Sequence, residues 1–184
     1  MNLFGYDWPR LHAALNDLPA ALLFVTVLFD FAGALTRRES LRATALWTLW
    51  AGVIGGWLAV VAGLKAEDII DHGEALHELM EDHQKAAIIT MCIFTVVLAY
   101  RLVRQARMSP GESLAVRALS VAGFVGIIWT GRLGGKMSFD HAAGVATTTL
   151  QSEIIDRAKG HHHHHGDEPD NDQDAPDSLP PAHP

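Results

Sequence analysis

The chain has 184 residues, of which 49% are hydrophobic and 19% are charged, and its formal net charge is −7. Such a chain has no surplus of Lys and Arg to neutralise phosphates, which excludes a basic nucleic-acid binder. Its one cysteine, Cys92, excludes a disulfide framework, a multi-cysteine zinc site and a covalently attached c-type haem. The apolar body and its polar C-terminal segment are typical of a membrane protein.

Four apolar stretches predict four transmembrane helices, at about residues 18–35, 43–64, 86–104 and 114–131. A helix needs about 20 apolar residues to cross the hydrocarbon core. The second stretch has that length, and the others need flanking residues or tilt. A soluble four-helix bundle is the alternative, but its helices would show a polar face at the helical period. The predicted fold class is therefore all-α, an integral membrane four-helix bundle within residues 1–159.

The charges between these stretches predict the orientation of the chain. The first and third links are rich in Arg, whereas the second contains seven acids against Lys65 and Lys85. Short Arg-rich loops stay in the cytoplasm. We therefore expect a multi-pass protein of the bacterial inner membrane, with both termini and the acidic link on the periplasmic side. The basic residues of the two links are Arg37, Arg38, Arg42, Arg101, Arg104 and Arg107.

One acid, Asp30, lies inside the first apolar stretch. A charged side chain within a membrane is costly and usually pairs with another one. Arg101 and Arg117 lie at a similar depth in the third and fourth stretches. The sequence therefore predicts a structural ion pair between Asp30 and one of these two arginines.

The chain has 11 histidines, and the predicted orientation places all of them on the outer side. Imidazole is the commonest side-chain ligand for metals. Helix ends that meet at one membrane face would bring His12, His83 and His141 close together, and His77 is a fourth candidate. Two axial histidines from different helices would suit haem b, and three or four would suit Cu or Zn. The alternative for each residue is a hydrogen-bonded histidine in the headgroup region.

The C-terminal part divides into two segments. In residues 139–158 apolar side chains recur at helical spacing, which predicts an amphipathic helix on the outer membrane surface. Residues 160–184 are rich in His, Asp and Pro, cannot bury a core and are predicted to be disordered. Five consecutive histidines there would bind Ni, Cu or Zn loosely, or are an expression tag. They are His161, His162, His163, His164 and His165.

Two segments carry a resemblance to a known family. In the first, Leu11-His12 is followed by Pro19, a long apolar run, Phe29-Asp30 and Arg37-Arg38; in the second, Leu133-Gly134-Gly135 is followed by His141 and Gly144-Val145. Together they resemble small bacterial membrane proteins known as domain of unknown function 2231. That resemblance implies a four-helix inner-membrane protein without an established activity, and its third-helix histidine would correspond to His77 or His83.

Three functions remain open at this point. The first is an electron carrier with haem b near the outer face, held by His12, His83 or His141. The second is a binder of divalent or copper ions, with Met80 and Met137 as soft ligands. The third is a non-catalytic structural subunit of a membrane complex. The expected partners are the lipid bilayer, a redox or complex partner and further copies of the chain. An independent enzyme is disfavoured, because the sequence has no nucleophile elbow, phosphate loop, HExxH or dinucleotide motif.

Overall fold

The computed structural model describes residues 5–104 and 107–160, and these residues form five α-helices. Each of the first four is long and apolar enough to cross a membrane. The predicted all-α, four-span architecture is therefore confirmed. The predicted disordered tail and its histidines, His161–His165, lie outside the described residues. The helices are α1 (Trp8–Thr36), α2 (Glu39–Glu67), α3 (Glu74–Arg104), α4 (Pro110–His141) and α5 (Thr147–Lys159).

The four long helices extend beyond the apolar stretches, and capping side chains mark where α1 and α4 begin. The Asp7 side chain accepts a hydrogen bond from the backbone N–H of Arg10 and caps α1. A reciprocal capping box between Ser109 and Glu112 begins α4. An oxygen at the N-cap satisfies an amide that has no partner within the helix. As a result, α1 and α4 each begin with a polar turn outside the apolar centre.

The helices form a four-membered ring in which α1 contacts α2, α2 contacts α3, α3 contacts α4, and α4 contacts α1. Helices α1 and α3 are therefore diagonal neighbours across the centre of the bundle. We call the end of the bundle where α1 begins the histidine end, because His12 and His83 lie there. The opposite end, which carries the α1–α2 and α3–α4 connections, is called the arginine end.

The core lies between the four helices, and a second set of apolar side chains faces outwards. Leu23, Leu49 and Phe94 are almost completely buried at the centre. By contrast, Trp47 is 69% exposed and Val103 is 79% exposed. Large apolar side chains also protrude along the outside of all four helices. In water such a surface would be costly, whereas lipid chains cover it in a membrane.

The chain breaks between α4 and α5 at a different place from the predicted surface helix. Residues 139–141, which the sequence pattern assigned to that helix, form the last turn of α4. Ala142 has a φ of 51° and Gly144 a φ of 85°, and such left-handed residues terminate a helix. Helix α5 then occupies Thr147–Lys159, has no buried residue and hydrogen-bonds the main body through Thr147 Oγ1 and Asp71 Oδ2, 3.3 Å apart.

Candidate functional site

Two histidines from diagonal helices meet at the histidine end of the bundle. The ring centroids of His12 on α1 and His83 on α3 lie 6.3 Å apart, and the two ring planes are perpendicular. The two residues belong to the first and the third helix and are distant in the chain. Only the packing of the first two helices against the last two brings them together.

Each ring is oriented by a backbone carbonyl of the next helix. His12 Nδ1 lies 2.8 Å from the carbonyl oxygen of Ala59 on α2, and His83 Nδ1 lies 3.0 Å from that of Thr130 on α4. Since a carbonyl only accepts hydrogen bonds, both Nδ1 atoms donate and both Nε2 atoms keep their lone pair. Proteins use this arrangement to fix the tautomer and direction of a metal-binding histidine.

Glycines make room for both rings. A Cβ atom at Gly63 would lie 3.0 Å from the His12 ring, and one at Gly134 would lie 3.2 Å from the His83 ring. Both distances are tighter than ordinary van der Waals contact. A side chain at either position would push the imidazole away from its carbonyl partner.

The two histidines line a cavity of about 640 Å³ that reaches into the bundle. Its volume is within the range of small-molecule and cofactor sites. Much of the wall is apolar, and three methionines contribute their thioethers: Met80, Met91 and Met137. Gln84 Nε2 donates a hydrogen bond of 2.7 Å to Glu67 Oε2 in the wall, which connects α3 to α2.

The other candidate histidines lie elsewhere. His77 stacks on His72 with ring centroids 5.3 Å apart, and its Nε2 atom lies 3.7 Å from Glu81 Oε1. His141 is exposed at the end of α4. Across residues 5–104 and 107–160 there is no cluster of three or more His, Cys, Asp or Glu that could hold a metal ion. Of the four candidates, the structure therefore pairs His12 with His83.

A buried group of charges lies near the arginine end. Asp30 on α1 contacts Arg101 on α3, and the Nε atom of Arg117 on α4 lies 3.6 Å from Asp30 Oδ2. The side chains of Asp30 and Arg101 are 10% and 7% exposed, and that of Arg117 is 24% exposed. Both arginines approach the one carboxylate, so the group has one positive charge in excess.

Sequence reasoning missed several residues that shape these two regions. The carbonyls of Ala59 and Thr130 carry no side-chain signal, and the glycines beneath the rings resemble ordinary packing residues. Outside both regions, sequence reasoning also missed Glu112, which accepts hydrogen bonds from Tyr100 Oη at 2.6 Å and Arg104 Nη2 at 2.8 Å. For the two glycines beneath the rings, the sequence offered one signal: the spacing of 51 residues from His12 to Gly63 equals that from His83 to Gly134.

Comparison with known proteins adds a family. No curated protein and no solved structure matches the chain significantly. The family described as "Predicted membrane protein (DUF2231)" matches residues 9–147, which include both paired histidines and, apart from Trp8, the four long helices. That match covers most of the chain, and the protein therefore belongs to the DUF2231 family of membrane proteins.

Proposed function

We propose that the protein is a membrane electron carrier that binds b-type haem between His12 and His83. The observation that carries this proposal is the pair of imidazoles on diagonal helices, each with Nδ1 bonded to a carbonyl and Nε2 left free. Haem iron accepts two axial nitrogen ligands, and the bound group supplies one-electron redox chemistry.

The separation of the two rings supports a shared ligand. A metal–nitrogen bond of about 2.0 Å on each side, plus about 1 Å from each nitrogen to its ring centre, places two opposed imidazoles about 6 Å apart. The centroids of His12 and His83 are 6.3 Å apart.

The walls of the cavity support a flat apolar group. Gly131 and Gly135 line the cavity on α4, and a Cβ built on either would meet no atom within 4 Å. Apolar walls around a redox centre exclude water and raise the strength of its electrostatic interactions. The protein would thus hold the group between His12 and His83, against a largely apolar wall.

The expected place of the site is the outer half of the bacterial inner membrane. The histidine end carries the acidic α2–α3 connection, and the arginine end carries the two basic connections. By the distribution of Arg, the arginine end faces the cytoplasm. An electron partner would then approach from the periplasm or from a neighbouring membrane protein.

Absorption spectroscopy of the full-length protein in detergent tests the proposal. The wild type is expected to show a Soret band that shifts on reduction and a reduced α-band. His12→Ala and His83→Ala should each lose these bands, while the control variants His77→Ala and His141→Ala keep them. A protein purified from haem-sufficient cells without any of these bands would overturn the proposal.

Copper binding is the second candidate, because Met80, Met91 and Met137 line the same cavity as the two histidines. Thioether and imidazole ligands together favour copper. Metal analysis of a variant with His161–His165 changed to Ser separates this candidate from loose binding at the tail. One copper per chain with no haem bands, lost in His12→Ala, would favour it.

A further inference from the structure

The first pair of long helices and the second pair follow the same plan at a constant offset in residue number. We call the separation of His12 and His83 along the chain the repeat offset. Helix α2 begins at Glu39 and α4 begins at Pro110, and these two residues differ by the same offset. Each histidine bonds a carbonyl 47 residues further on. The two hydrogen bonds are therefore the same contact made twice.

The buried positions repeat with the same offset. The four buried residues of α4 all lie one repeat offset after a buried residue of α2, and five of the six buried residues of α1 have a buried counterpart in α3. A shared helical period alone would align one face of each helix but would not fix one offset for both pairs. The α2–α4 pairs are Ala45 with Val116, Leu49 with Ser120, Gly52 with Gly123, and Ala62 with Leu133. The α1–α3 pairs are Pro19 with Thr90, Leu23 with Phe94, Thr26 with Val97, Val27 with Leu98, and Asp30 with Arg101.

Close contacts of glycine repeat as well. A Cβ atom at Gly52 would lie 2.8 Å from the Leu23 side chain, and one at Gly123 would lie 2.8 Å from the Phe94 ring. Leu23 and Phe94 are separated by the repeat offset, as are the two glycines. The same relation holds for the glycines beneath the two imidazoles.

We infer that the membrane body consists of two copies of one helical hairpin, and that the histidine pair is one symmetric site to which each copy gives an equivalent ligand. The copies face each other across an approximate two-fold axis along the bundle. His12 and His83 lie on either side of this axis at the histidine end, and Asp30 and Arg101 lie on either side of it near the arginine end.

This arrangement specifies the class of ligand, and in that respect it rests on the proposed function. A symmetric site fits a metal centre with two equivalent imidazole positions. The three cavity methionines all belong to the second copy. Their counterparts one repeat offset earlier are Pro9, Ala20 and Ala66, which offer no side-chain ligand. The equivalent ligands are therefore the two histidines, whereas the thioethers have no counterpart in the first copy.

The two copies carry opposite charges at one pair of equivalent positions, Asp30 and Arg101. If both carried the same charged residue at the position of Asp30 and Arg101, two like charges would face each other inside the membrane. One acid and one base at equivalent positions make the contact between the first and second copy attractive. The pair therefore favours docking of the two different hairpins of one chain over docking of identical hairpins from two chains.

Thermal unfolding of the full-length protein tests the repeat without reference to any ligand. Gly52→Ala and Gly123→Ala should each lower the Tm, by about 2–10 °C, because both force a methyl group against a buried side chain. Gly73→Ala and Gly111→Ala are the controls, since a Cβ there meets nothing within 4 Å, and they should leave the Tm unchanged or raise it. A lowered Tm for only one of the two buried glycine variants would overturn the repeat.

Redox titration tests the symmetry of the site. Gly63→Ala and Gly134→Ala should shift the midpoint potential of the bound haem in the same direction and reduce haem content to a similar extent. The control Gly111→Ala, at the arginine end, should leave both quantities unchanged.

One result of this titration would contradict an equivalent pair of ligands: an effect of only one of the two ring-contacting glycines. A wild type without haem would overturn the proposed function, whereas the unfolding measurements would still decide the repeat.

Discussion

At the scale of single residues, the members of the Asp30 cluster should differ in how much stability is lost when each is removed. Arg101 is the more buried of the two arginines, and without Asp30 it would be a buried cation next to a second cation. Arg117 is partly exposed and can turn towards solvent or headgroups. Substitution of Asp30, Arg101 or Arg117 should therefore cost different amounts of stability, although each breaks the same cluster.

Removal of the carboxylate is expected to be the most damaging of these changes. Asp30→Ala should lower the free energy of unfolding by about 3–5 kcal/mol, because breaking a buried pair leaves an uncompensated charge. Arg117→Ala should cost much less, since Asp30 keeps Arg101. Equilibrium unfolding in detergent measures both. Equal losses for Asp30→Ala and Arg117→Ala would contradict this account of the cluster.

The sequence predicted that Asp30 pairs with Arg101 or Arg117, but not that both arginines approach it. Depth along the helices was enough to bring Asp30, Arg101 and Arg117 to one level, because the rise per residue is constant. Whether an arginine faces Asp30 depends on the rotation of its helix, and both Arg101 and Arg117 face it. The same limit applies to the histidines: the sequence grouped His12, His77, His83 and His141 at one end, while rotation of α3 directs His83 inwards and leaves His77 half-exposed beside Glu81.

At the scale of helices, the connection between α3 and α4 contains a compact set of polar contacts. Ser109 Oγ accepts from the Glu112 backbone N–H at 3.3 Å, and the Glu112 side chain accepts from the Ser109 N–H at 2.6 Å. The same carboxylate also accepts hydrogen bonds from Tyr100 and Arg104 of α3. Glu112 therefore caps its own helix and joins it to the preceding one.

The cap of α4 should have a measurable stability. Ser109→Ala is expected to lower the free energy of unfolding by about 1 kcal/mol, as for other N-cap serines. Ser40→Ala, an exposed serine in the first turn of α2, where the N-cap makes no side-chain hydrogen bond, is the control and should change little. Unfolding in detergent compares the two variants. An equal effect of both would show that the cap of α4 is not formed.

The helices also show which sequence signals were sufficient. Hydropathy located four spans because a lipid-facing helix is apolar over its whole central part. It did not give the full lengths, since the first turns of α1 and α4 depend on the caps at Asp7 and Ser109 and not on hydropathy. The break after His141 was missed because Ala142 adopts a left-handed backbone conformation, which an alanine in the sequence does not predict.

At the scale of the whole molecule, orientation determines from which side a partner can reach the histidine pair. The histidine end lies next to the acidic α2–α3 connection, and Thr36 and Ser40 lie next to the Arg-rich connection at the other end. An excess of Arg in short loops keeps those loops in the cytoplasm. The site should therefore be reached from the periplasm.

Labelling of single cysteines in intact cells measures this orientation. The native Cys92 is first changed to Ala, because it is exposed on α3. In that background Gly73→Cys, in the α2–α3 connection, should react with a membrane-impermeant maleimide added outside, whereas Ser40→Cys should react only after the cells are lysed. Gly73 suits a reporter because a side chain there meets no atom within 4 Å. The reverse pattern would place the histidine pair at the cytoplasmic face, so an electron partner would have to be sought in the cytoplasm even if haem binding itself were established.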